Sequence, residues 1–103
     1  MGEARALRLR FTADAAAELE RVLSEIAQAS PQGARRVQGR IQIVLDFLLE
    51  QPRSGRLTSL KNLRRIAVRP HPYFIFYEAS EDEVVIIGIR HGARAPSSMP
   101  GAP

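Results

Sequence analysis

The run from Glu83 to His91 is apolar at odd and even positions alike, with Val84, Val85, Ile86, Ile87 and Ile89 all in it. So many β-branched residues in so short a run favour a strand. A strand that is apolar on both faces belongs in the middle of a sheet, covered above and below. Simple alternation puts Val85, Ile87 and Ile89 on one face and Val84 and Ile86 on the other. Tyr73 to Glu78 behaves the same way, with Phe74 and Phe76 opposing Tyr73, Ile75 and Tyr77. The polar turn Ser80-Glu81-Asp82 joins the two. Any fold for this chain must therefore supply cover for a two-faced β-hairpin.

The first half of the sequence supplies it. Leu7, Leu9 and Phe11 alternate with Arg8 and Arg10, as in a strand with one buried side. Thr12 is placed to cap a helix whose first turn holds Asp14, and Ala15, Leu19, Val22, Leu23 and Ile26 follow at helical spacing. Ser30-Pro31 ends that helix and starts another, with Ser at the cap and Pro at the first helical position. Ala34, Val37, Ile41, Val44, Leu45 and Leu48 form the second stripe, which Gln51-Pro52 should stop. The segment from Pro52 to Asn62 reads as a loop, and Arg64 to Arg69 as a strand with Ile66 and Val68 on one side. Pro70-His71-Pro72 turns the chain into the hairpin. The expected fold is α+β, ordered strand–helix–helix–three strands. A helical hairpin packs on one face of a mainly antiparallel four-stranded sheet. Because the hairpin covers one face, the second is expected to be a groove closed by a loop, a partner or another copy of the chain.

At 103 residues, 45% of them apolar, the chain fits one globular domain, residues 1–103, with 92–103 as a glycine- and proline-rich tail. It has no cysteine, which removes disulfides and thiolate chemistry. No apolar run approaches the roughly 20 residues that span a bilayer. Met1 to Arg10 holds no apolar signal core, so a cytoplasmic location is expected. No nucleotide-binding glycine motif occurs, and neither a cofactor nor a metal is expected. A net charge of +4 and a pI near 10.6 favour acidic partners.

Several stretches resemble the ParE/RelE toxin superfamily, and its ParE branch in particular. Leu9-Arg10-Phe11-Thr12 is similar to the opening of ParE-type toxins. Gln51-Pro52-Arg53-Ser54-Gly55-Arg56 resembles the proline-arginine-x-glycine stretch after their second helix. Val68-Arg69-Pro70-His71-Pro72-Tyr73 with Ile75-Phe76-Tyr77 resembles their paired strands, and Ile89-Arg90-His91-Gly92-Ala93-Arg94 their last strand and exit. The resemblance implies the toxin of a type II toxin–antitoxin pair, held inactive by a ParD-like antitoxin and acting by poisoning DNA gyrase. Direct nucleic-acid binding is not expected except through the antitoxin complex.

On that reading the surface tied to the target and to toxicity is Arg69, Tyr73, Tyr77, Arg90, His91 and Arg94. An antitoxin segment is expected on Phe74, Phe76, Val84 and Ile86, with Arg35 and Arg36 of the second helix meeting its acidic groups. Arg69 and Arg90 lie in otherwise apolar strands, where an unpaired guanidinium is costly, and Glu78 and Glu83 are the expected internal partners. Two alternatives stay open. RelE-type relatives are ribosome-dependent mRNA endonucleases, and cleavage of that kind needs a base, an acid and cations at the phosphate. Arg69, Arg90, His91 and Tyr77 are the candidates for it. The other alternative is an inactive toxin that serves only as co-repressor with its antitoxin.

Overall fold

The computed structural model describes residues 7–92, so Arg94 and the tail beyond Gly92 lie outside the described residues. The elements are β1 (Arg8–Phe11), α1 (Ala13–Ala29), α2 (Pro31–Glu50), β2 (Arg56–Leu57), β3 (Arg64–Ala67), β4 (Tyr73–Ala79) and β5 (Glu83–His91). Both helices begin as their caps dictate. The Thr12 hydroxyl accepts the Ala15 amide at 3.0 Å, and the Ser30 hydroxyl accepts the Gly33 amide at 2.9 Å. Ser30 also donates its own amide to the Ile26 carbonyl, so one residue closes α1 and opens α2.

The strands form a single sheet in the order β1-β5-β4-β3-β2. β1 pairs with β5 in parallel, and every other pairing is antiparallel. The hairpin strand β5 is thus internal, as its two apolar faces require. The helices lie on one face. Val37, Ile41, Val44, Leu45 and Leu48 of α2 and Ala15 of α1 join Val68, Ile75, Tyr77, Val84, Ile86 and Ile89 in one core.

The sheet has five strands where four are expected. The fifth, β2, comes out of the Pro52–Asn62 loop, and side chains hold it there. The Arg64 guanidinium donates to the carbonyls of Arg53 at 3.1 Å and Gly55 at 2.8 Å. The Gly55 amide donates to the Tyr77 hydroxyl at 2.8 Å inside the core. Asn62 then turns the chain into β3 at a φ of 63°, a conformation asparagine tolerates better than most residues.

The second departure from expectation is a bulge. Phe76 pairs with Gly88 but Tyr77 pairs with Ile86, so Ile87 is an extra residue in β5. Alternation reverses there. Val84, Ile86, Ile89 and His91 share the helix-covered face, and Val85, Gly88 and Arg90 share the outer one. Simple alternation had joined Arg90 to Val84 and Ile86, and His91 to Val85, Ile87 and Ile89.

Candidate functional site

The expected functional residues separate into three places. Val84 and Ile86 are fully buried beneath the helical hairpin, so an antitoxin segment cannot reach them while the domain is folded. Their strand positions oppose Ala79 and Tyr77, not the two phenylalanines they were grouped with. Phe74 is half-buried on the outer face, and Phe76, at 6% exposure, offers little there. The large apolar side chains that do reach solvent are elsewhere: Ile43 and Phe47 on α2, and Leu57 on β2. Arg35 and Arg36 are exposed on α2.

The residues expected at the target surface are mostly engaged within the domain. Tyr77 is fully buried, and its hydroxyl is the acceptor for Gly55. Burial raises its pKa above the usual tyrosine value, against a smaller lowering by the Gly55 amide and the Arg64 charge. Tyr73 and His91, directly opposite on β4 and β5, meet edge-on at 5.2 Å between ring centroids. Arg90 forms an ion pair with Glu18 of α1, a partner not anticipated from the sequence. Glu83, which was the expected partner, instead pairs with Arg10 of the neighbouring strand at 3.2 Å. That pairing holds the Glu83 carboxyl below its ordinary pKa, chiefly through the hydrogen bond from Arg10. Glu78 is exposed on the outer face.

Glu18 is the residue the sequence reading missed. It lies one turn after Ala15 on α1, whose small, fully buried side chain lets the helix approach β5. β1 ends at Phe11, opposite Ile86, so the edge of β5 is open beyond that point. The Glu18 carboxylate fills the gap, accepting the Ile89 amide at 2.9 Å and the Arg90 guanidinium. A glutamate that follows a run of alanines near the start of a helix is the only signal the sequence carried.

Arg69 behaves differently. It is exposed two residues beyond β3, joined to Pro70 by a cis peptide, and its carbonyl accepts the Arg40 guanidinium at 2.6 Å. It lines an open cleft of about 380 Å³ together with Arg56, Arg65, Phe74, Ser54 and Gly55. Arg65 lies over the Phe74 ring, 4.7 Å from its centroid. Arg56 and Arg65 are direct cross-strand neighbours. Among the described residues, three arginines thus line one cleft that has no acidic residue in its lining. They contain no cluster of His, Cys, Asp or Glu able to hold a metal ion, and no helix long and apolar enough to cross a membrane.

Comparison with known proteins gives a consistent picture. Residues 9–96 match the family model for the ParE toxin of type II toxin-antitoxin system, parDE. Toxin RelE2 of Caulobacter vibrioides is 39% identical over 84 residues, which cover 82% of this chain and 93% of that protein. The putative toxin Y4kP of Sinorhizobium fredii is 36% identical over 84 residues, 82% of this chain and 86% of its own length. A chain of the solved chromosomal ParDE TA system from P. aeruginosa superposes with a TM-score of 0.71 at 19% identity, covering 84% of this chain and 96% of that one.

Proposed function

The chain belongs to the ParE toxin family of type II toxin–antitoxin systems, and on that premise we propose that it poisons DNA gyrase and is held inactive by a ParD-like antitoxin. What supports a binding protein over a nuclease is the fate of the four groups an RNA-cleaving site would need. The Tyr77 hydroxyl is buried against Gly55, Arg90 is tied to Glu18, and His91 packs on Tyr73. Arg69 is at the far side of β4, on the β3 turn. A general acid and base must both reach one phosphodiester, and this arrangement gathers no such pair.

Purified chain, gyrase, plasmid DNA and ATP should yield trapped, cleaved DNA, and addition of the antitoxin should suppress it. Absence of cleavage at micromolar chain would overturn the gyrase reading. A ribosome-dependent RNase remains the second reading. It is favoured by the RelE2 relative and by the three arginines of the cleft, which suit an RNA phosphate. It requires cut messages in translating cells, lost in a folded Arg65→Glu variant.

A further inference from the structure

We propose that α2 carries the contact of a symmetric homodimer, in which two copies of the chain lay this helix antiparallel against each other with Ile43 at the twofold axis. Ile43 and Phe47, 56% and 44% exposed, are two of the three large apolar side chains that reach solvent among the described residues. Both project from α2, one turn apart, outside the buried stripe of Val37, Ile41, Val44, Leu45 and Leu48. Arg36, Gly39, Arg40 and Glu50 are exposed too and fall at helical spacing from these two, so the six share one face.

What this face fits is a copy of itself. Its charges have opposite sign on the two sides of Ile43. Arg36 stands seven positions before it and Glu50 seven after, Arg40 three before and Asp46 three after. A helix laid antiparallel over its own copy brings each residue level with the one at equal distance beyond the centre, the isologous pattern of a twofold contact. Arg36 of each copy then meets Glu50 of the other, and Ile43 packs on Ile43. The Arg40 guanidinium of one copy reaches the Phe47 ring of the other. Arg40 is already ordered in the single domain, since its Nε donates to the Arg69 carbonyl at 2.6 Å, so little side-chain freedom is lost on contact.

Two features of α2 have no use inside the single domain. Arg36 and Glu50 form no ion pair among the described residues. An acidic residue in the last turn of a helix opposes the helix dipole, and the last turn of α2 holds no basic residue to offset Glu50. Across an antiparallel contact Glu50 gains both a cation and the positive half of the facing helix. Gly39 is the second feature. A glycine inside a helix is destabilising relative to alanine, and a Cβ here would meet nothing within 4 Å, so the packing of the domain does not require it. The close approach of a second helix does. One helix face offers less than the roughly 800 Å² per partner of a standard stable interface, so a reversible dimer with a micromolar dissociation constant is expected. The inference needs neither the gyrase nor the RNase reading.

The test follows the mass of the purified full chain by sedimentation equilibrium from about 1 to about 200 µM, the range in which a dimer of that affinity forms. The mass should rise from one chain toward two. Arg36→Glu and Glu50→Arg should each weaken association about tenfold or more, because like charges then face each other. Both reversals agree with the helix dipole, so both chains should fold. An equimolar mixture of the two should dimerise again, since every reversed charge now faces its opposite, and that rescue ties association to the Arg36–Glu50 pair. Ile43→Cys in this cysteine-free chain should form an interchain disulfide on mild oxidation far faster than Gln38→Cys, which is exposed on α2 away from the face. A single-chain mass over the whole range overturns the proposal. So does association indifferent to Glu50→Arg, a mixture no heavier than its components, or equal rates of disulfide formation by the two cysteine variants.

Discussion

The bond between the Gly55 amide and the Tyr77 hydroxyl gives the sharpest test of how the arginine cleft is built. Tyr77→Phe keeps the ring, so no cavity opens, but leaves a buried N–H facing carbon. The desolvation penalty of such an orphaned donor is about 1–3 kcal/mol. For a domain of this size that is a fall in Tm of about 5–15 °C. Gly55→Ala attacks the same contact from the other side. Its Cβ would stand 2.5 Å from the Tyr77 hydroxyl oxygen, 2.7 Å from Cε1 and 2.8 Å from the Arg65 carbonyl oxygen. The last is backbone and cannot swing away, so Gly55→Ala should cost more than Tyr77→Phe. The double variant should cost less than the sum of the two, because either change alone already breaks the bond. Equilibrium urea unfolding reads all three, with a constant m-value as the check that the unfolded state is unaffected. A loss under about half a kcal/mol for Tyr77→Phe would refute the claim that this bond anchors β2. The same residue predicts a pH effect. Its pKa is raised in the fold, so its contribution is complete below pH 10.0 and is lost as pH rises beyond that, toward the folded value. The Phe variant should lack that component of the alkaline decline.

Three further outcomes follow from the contacts described. Glu18→Gln, which weakens the pairing with Arg90 while keeping an acceptor for the Ile89 amide, should lower stability by about 1–2 kcal/mol in urea unfolding, and Glu18→Ala by more. Thr12→Ala should cost about 1 kcal/mol through loss of the α1 cap, with most of it restored by Thr12→Asp. The Arg10–Glu83 pair should contribute above pH 4.5 and fade as pH falls through the depressed Glu83 value, so Arg10→Gln should flatten the acid limb of the stability profile, and added salt should do the same in part.

The ParE-like order of elements was legible because its signals are local. The Thr12 and Ser30 caps, the apolar stripes of the two helices and the two-faced hairpin each depend on neighbours within a few residues, and the structure keeps all of them. The match to the ParE family, over residues 9–96, spans the same stretches. The candidate site was legible only in part. Arg69 was found, but its neighbours Arg56 and Arg65 were not, since they converge through a two-residue strand inside a segment with loop composition.

Which residues are functional candidates was settled by features with no local signature. One extra residue at Ile87 reversed the faces of β5 and exchanged the surroundings of Arg90 and His91. The partner of Arg90 is 72 positions away on α1, a distance no spacing rule spans. The sequence by itself determined both helices, four of the five strands and the family resemblance, because helix periodicity, capping and strand alternation are properties of adjacent residues. Only the tertiary structure decided which arginines are spoken for and which face an open cleft, because that depends on strand register and on where one helix happens to end its approach to the sheet.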